Sequence, residues 1–185
     1  LFLIPLTPKA YLTPNRIALR ALSLQNLINQ DYENWSAILI GKTDETIPNK
    51  SNFILLDVEG TKEGKLQAAT KYIKDTNLDF DYLIRLDDDD MFNNKLLSKL
   101  AEKEFDIYID KYHTFWDAST GSIAQQVPYW FANTCIHKKE HALTVYGSFP
   151  RDTTVFTKEK PYLIENGHGD FHRYYNQNHT ILIAE

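Results

Sequence analysis

Short apolar segments alternate with helical stretches through the first hundred or so residues, and this rhythm narrows the fold more than any other feature. "LFLIPL" at 1–6 reads as a buried strand ending at Pro5. Thr13 and Pro14 have the residue types of a helix N-cap and first turn. Ile17, Ala21, Leu24 and Ile28 follow at helical spacing, which predicts a helix over about 14–30. "WSAILIG" and "NFILLDV" supply two more strands, and Leu66, Ala69 and Ile73 share one face of a helix over about 62–75. "DYLIRL" is a fourth strand, a helix over about 94–103 follows, and "FDIYIDKY" alternates as a strand does. The closing "TILIAE" also reads as a strand. Strands alternating with helices imply an α/β fold, with a mixed, mainly parallel central sheet and helices on both faces. In such sheets ligands bind beyond the carboxyl ends of the strands.

The 185 residues suffice for one domain with a full core, and no repeat, linker or low-complexity stretch divides them. The start at Leu1 and the strand-like end suggest a domain cut from a longer polypeptide. A net charge of −5 gives no basic footprint for nucleic acid. The apolar runs are too short to cross a bilayer, and "LFLIPL" lacks the basic flank of a signal peptide. Cys135 is the only cysteine, which excludes an internal disulfide and suits a reducing, cytoplasmic setting. It reads as a small buried hydrophobe.

The fourth strand runs directly into Asp87, Asp88, Asp89 and Asp90. Carboxylates this close repel by roughly 0.5–3 kcal/mol per pair, depending on screening, so the cluster calls for a cation or a well-solvated turn. An EF-hand loop counted from Asp87 would need Gly at Phe92 and Glu at Ser98. A phosphate loop built on "GKT" at 41–43 would need Gly at Ser36. A haloacid-dehalogenase-type phosphatase also carries Asp-x-Asp after a strand and stays as a lesser rival, since its motif usually stands on the first strand, with Thr or Val where Met91 stands. What remains is Mg²⁺ or Mn²⁺, which takes one or two carboxylates together with substrate phosphates. Arg85 shares a strand face with Asp87, where it can pin that carboxylate or meet a donor phosphate.

With "IPLT", "ALRALSLQNLINQDYENWSAILIG" and "GKLQAATKYIKDTNLDFDYLIRLDDDD" in this order, residues 1–100 resemble nucleotide-sugar glycosyltransferases of the GT-A (Rossmann-like) fold, close to family 2 and to rhamnosyltransferase-like proteins. The resemblance implies that Asp89 is the main metal ligand and that Asp87 lies near the metal or ribose. Asp90 would support the metal or face the donor sugar in catalysis. Pro5, Leu6 and Thr7 would line the nucleotide pocket, with Gly41, Lys65, Arg85 and Asp88 beside them. One departure stands out. Such enzymes usually end the second strand with Asp-Asp-Gly-Ser, whose aspartate reads the base, whereas this chain has "GKTDE". Asp44 or a backbone group then takes that role, or base recognition differs.

The second half should hold the acceptor, which divides the domain at about 1–104 and 105–185. "ENGHGDFHRYYN" at 165–176 offers His168 or His172 as a further metal ligand and Asp170 as the base that takes the acceptor proton. Aromatics crowd between Phe105 and Phe131, and Trp116 and Trp130 are the first choices for stacking on a sugar face, with Asp117 a rival acceptor contact or base. His113, His137 and His141 read as structural or surface residues. The expected activity is metal-dependent transfer of a sugar from a nucleotide-diphosphate donor, a UDP-sugar first, to a hydroxyl of a glycan. Two rivals stand beside it. A nucleotidyltransferase of similar fold would carry a glycine-rich loop where "PLTPKAYLTPN" has no glycine. A carbohydrate- or metal-binding module would keep the acids and aromatics without turnover.

Overall fold

The computed structural model describes residues 1–42, 47, 51–110, 112–127, 135–147 and 178–184. A seven-stranded sheet, in the order β3-β2-β1-β4-β8-β5-β9, forms its centre. The strands are β1 (Phe2–Pro5), β2 (Ala37–Ile40), β3 (Phe53–Leu56), β4 (Tyr82–Arg85), β5 (Ile107–Ile109), β8 (Cys135–Lys138) and β9 (Ile181–Ile183). The helices are α1 (Pro14–Ile28), α2 (Lys62–Thr76), α3 (Leu96–Leu100) and α4 (Lys139–Gly147). β8 runs antiparallel to β4 and β5, and every other pairing in this sheet is parallel. The expected mixed α/β architecture, with helices on both faces, is what the chain adopts.

β1 and β2 are buried at every position rather than at alternate ones, because both faces of the sheet are covered. Leu3, Ile38, Ile40 and Leu83 pack against Leu66 and Ile73 of α2 and Tyr146 of α4. Phe2, Ile4, Leu39 and Ile84 face Leu24 and Leu27 of α1 and Leu96 and Leu100 of α3. Each large side chain so buried contributes about 1.5–3 kcal/mol. Thr13 caps α1 by accepting the Arg16 N–H at 3.3 Å, and Thr61 caps α2 through the Gly64 N–H at 3.2 Å. α2 stops at Asn77, which takes the left-handed conformation that asparagine tolerates (φ 50°).

Two local features differ from expectation. The helix predicted over about 94–103 is only Leu96–Leu100. Lys95 occupies its N-cap without a side-chain cap, so little beyond the anchoring of Leu96 and Leu100 holds it. The sequence reading also passed over a hairpin of β6 (His113–Asp117) and β7 (Ser122–Val127), a separate two-stranded sheet. Its turn depends on Gly121 at φ 73° and on Asp117, which accepts from Ser119 and Thr120.

The chain steps from β1 outward to β2 and β3, then returns to place β4 on the other side of β1. The direction of winding therefore reverses between β1 and β4, which opens a crevice at their carboxyl ends. Leu6 and Thr7 follow the end of β1, and Asp87 to Asp90 lie just past the end of β4.

Candidate functional site at the carboxyl edge of the sheet

The acidic loop is held by one face of α1. Arg16, Arg20, Ser23 and Asn26 recur at helical spacing and each meets the loop in turn. Arg16 pairs with Asp89 at 2.5 Å. Arg20 Nε donates to Asp88 Oδ2 at 2.8 Å, and its Nη2 donates to the Thr7 carbonyl at 2.8 Å. Ser23 Oγ donates to the Asp90 carbonyl, and Asn26 Oδ1 accepts the Phe92 N–H at 2.8 Å. Asp88 also accepts from the Thr7 N–H and hydroxyl, both at 2.8 Å. It is 4% exposed, and its carboxylate ties the β1 and β4 loops together beneath the expected nucleotide-sugar site. Thr7 spends its N–H and hydroxyl in the same tie.

Asp87 turns to the other face. Lys62, in the first turn of α2, donates to Oδ2 at 2.7 Å, and Arg85 donates to Oδ1 at 3.1 Å. Arg85 thus pins Asp87, one of the two roles expected of it. Burial pushes the Asp87 carboxyl up, but Arg85 and Lys62 together outweigh it and hold it below the ordinary carboxylate value. The first three aspartates therefore each have a cation of their own, which answers the repulsion that the sequence raised.

Lys65 supports the edge from beneath. Its Nζ donates to the Leu6 carbonyl at 2.7 Å, and the side chain is buried. Burial lowers its pKa, with the Asp88 carboxylate acting in the opposite sense. Gly41 ends β2 at φ 147°, and a Cβ there would lie 3.2 Å from both Leu6 Cβ and Lys65 Nζ. Only glycine fits this close approach of backbone, loop and ammonium group. Beside it a cleft of about 500 Å³ opens between Pro8, Lys9, Lys42, Val58, Glu59 and Lys65.

The donor set suits a hard divalent ion shared with a substrate. Asp87 and Asp89 are oxygen donors two residues apart, and their side chains are 17% and 28% exposed. Among the described residues they do not form part of a group of three metal-ligand side chains. The group that does bring three donor atoms within 4.8 Å is Asp106, Glu140 and His141. It sits at the opposite, amino edge, where Asp106 accepts the Thr180 N–H at 2.7 Å and meets His141 Nε2 at 3.3 Å. Burial pushes the Asp106 carboxyl up, and Thr180 and His141 outweigh it to leave the value lowered.

Asp110 escaped the sequence reading. It follows β5 at the carboxyl edge, across β8 from β4, and accepts the Tyr108 hydroxyl at 2.7 Å. Burial pushes its carboxyl up, against the pull of that hydrogen bond and of His113. The alternation in "IYID" already placed Tyr108 and Asp110 on one face at a strand end. Trp116 is half exposed on the β6–β7 hairpin. Asp117 closes its own turn, where Ser119 and Thr120 pull its pKa down to about 2. His137 is buried in β8, and burial lowers it to about 3, as befits a structural histidine. Cys135 is buried beside it, as expected. Asp44, Trp130, His168, Asp170, His172 and Arg173 lie outside the described residues.

No family model matches the chain, and no curated protein matches it. Among solved structures it is similar to TarS from S. aureus. The crystal structure of TarS 1-349 in complex with UDP-GlcNAc aligns at a TM-score of 0.51 and 16% identity, over 74% of this chain and 44% of that one. The fold is of the GT-A type. Two further TarS crystal structures, of residues 1-349 and of TarS as such, align at TM-scores of 0.48 and 0.47, also at 16% identity and over 74% of this chain. They are covered to 46% and 28%, so the chain spans less than half the length of these neighbours. At this identity the likeness concerns the fold alone. No helix among the described residues is long and apolar enough to cross a membrane.

Proposed function

We propose that the protein is a metal-dependent glycosyltransferase that moves a sugar from a nucleotide-diphosphate donor, a UDP-sugar first, to a hydroxyl of a glycan acceptor. The observation that carries this reading is the juxtaposition of two partly exposed carboxylates with a ring of cations at the point where the sheet reverses its winding. A diphosphate needs positive groups, and its divalent ion needs carboxylates; this edge offers both. That a structural neighbour of the same fold has been crystallised with UDP-GlcNAc supports the choice of donor.

In this reading Asp89 and Asp87 would hold Mn²⁺ or Mg²⁺, and the ion would supply Lewis acidity toward the leaving diphosphate. Arg85 keeps the Asp87 carboxylate ionised and aimed. Arg20 and Asp88 fix the Thr7 backbone, and Lys65 fixes the Leu6 carbonyl, so the β1 loop presents a set shape to the nucleotide. Asp90, whose backbone carbonyl is tied to Ser23, would support the metal or face the donor sugar. For inversion, a carboxylate takes the acceptor proton as the hydroxyl oxygen attacks the anomeric carbon, and the bond to the diphosphate breaks with its electron pair on the nucleotide. Asp170 and Asp110 are the two candidates for that base. Asp110 is favoured among the described residues because its raised affinity for protons, at the carboxyl edge, suits a proton acceptor. His168 is the candidate for a further metal ligand, and Trp116 and Trp130 are the candidates for stacking on the acceptor. The donor half is 1–104 and the acceptor half 105–185, in an enzyme of the cytoplasm.

Thermal melts with Mn²⁺, with UDP and with both test the reading. A shift that needs both ligands and disappears in Asp89→Asn is expected. No shift with any nucleoside diphosphate would overturn it in favour of a binding module.

A further inference from the structure

The cations around the acidic loop are of two kinds. Arg20 and Arg85 are 3% and 4% exposed and held by several contacts, so they cannot leave their carboxylates. Arg16 and Lys62 are 39% and 42% exposed, and among the described residues each makes its one side-chain hydrogen bond to the loop. They come from opposite faces of the sheet, on α1 and α2, and cover the two carboxylates, Asp89 and Asp87, that a divalent ion would need. Arg16 also carries a buried Nε–H with no hydrogen-bond partner among the described residues. That donor is unused in the pairing with Asp89, yet a guanidinium presents Nε and Nη together when it grips a phosphate with two parallel bonds.

We propose that Arg16 and Lys62 are exchangeable counter-ions. They neutralise Asp89 and Asp87 while the edge is free, and they turn onto the diphosphate oxygens of the donor when the divalent ion takes those carboxylates. The inference rests on the donor reading above and adds two ligands to it. An ion arriving alone would leave a guanidinium and an ammonium beside it without partners. A diphosphate arriving alone would find both cations occupied. Each ligand therefore prepares the place of the other, and charge stays paired in both states. The side chains involved are long, and exposed pairs of this kind contribute little, so the exchange is easily reversed.

Isothermal titration of wild type, Arg16→Met and Lys62→Met tests this with Mn²⁺ alone and with UDP in saturating Mn²⁺. Each variant is expected to bind Mn²⁺ alone more tightly, by up to about fivefold, the equivalent of one exposed ion pair. Each is expected to bind UDP with Mn²⁺ more weakly by a similar factor or more, and Arg16→Lys is expected to recover part of both effects. Circular dichroism shows whether the variants remain folded, which the exposure of both side chains favours. Opposite movements of the two affinities support the exchange. If wild type binds UDP with Mn²⁺ but the variants bind Mn²⁺ no more tightly, or UDP equally well, the exchange is overturned and the donor reading stands. If wild type binds neither Mn²⁺ nor any nucleoside diphosphate, both fall together.

Discussion

Acids gather at both edges of the central sheet, but they are held in different ways. At the carboxyl edge, Asp87, Asp88 and Asp89 are paired with Arg85 and Lys62, Arg20, and Arg16. At the amino edge, Asp106 is satisfied chiefly by the Thr180 backbone N–H and by His141, and Glu140 is exposed. The second group meets a simple distance criterion for metal ligands and the first does not. Yet the first lies where the winding reverses, on loops fixed by buried ion pairs, and the second joins the start of α4 to the segment before β9. The two edges thus separate convergence of acidic atoms from the pairing of acids with buried cations.

The sharpest way to break this comparison is Arg20→Met. It leaves the buried Asp88 carboxylate without its cation, held only by the Thr7 N–H and hydroxyl, and should cost about 3–5 kcal/mol in urea unfolding. A smaller loss would show that the carboxyl edge is no more tightly built than the amino edge. Next in size is ligand linkage. With Mn²⁺ and UDP at a hundred times the dissociation constant, wild type should gain about 2.7 kcal/mol; Asp89→Asn should lose that gain, and Glu140→Gln should keep it. An equal loss in Glu140→Gln would move the metal to the amino edge. Asp106→Asn should cost about 1 kcal/mol, the scale of a single hydrogen bond to a partly exposed group.

The smallest effects are in pH dependence, and they have opposite signs at two aspartates of the carboxyl edge. The folded pKa of Asp87 is lowered, so its stabilising effect is full above the ordinary carboxylate value of about 3.9 and disappears as pH falls through the lower folded value. The Asp87→Asn deficit should therefore shrink only in that acidic window. The folded pKa of Asp110 is raised, so its contribution is greatest below the unfolded value and is lost as pH rises through the folded one. Asp110→Asn should gain melting temperature relative to wild type as pH rises toward neutrality. Parallel pH–melting curves for wild type and either variant would contradict the corresponding assignment.

Much of the frame was legible because strand and helix periods are local properties. Thr13, Pro14 and the apolar spacing of Ile17 to Ile28 mark α1 without reference to the rest of the chain. The hairpin around Asp117 was harder to read, since its pairing rests on a turn closed by hydroxyls and Gly121 rather than on an apolar face. In the site, the four aspartates were visible but their partners were not. Arg16 and Arg20 are about seventy residues away in sequence, and only the fold brings them to Asp89 and Asp88. A polar stripe at 16, 20, 23 and 26 on a largely apolar helix was the signal available for finding them.

That stripe links the history of two distant segments. A helix advances about 100° per residue, so inserting or deleting a single residue near the start of α1 would swing its N-terminal arginines away from the loop. Variation in the length of α1 and in the loop after β4 must then be inherited as one unit, and a chimaera that exchanges either segment without the other should fail at the junction even though both parents fold.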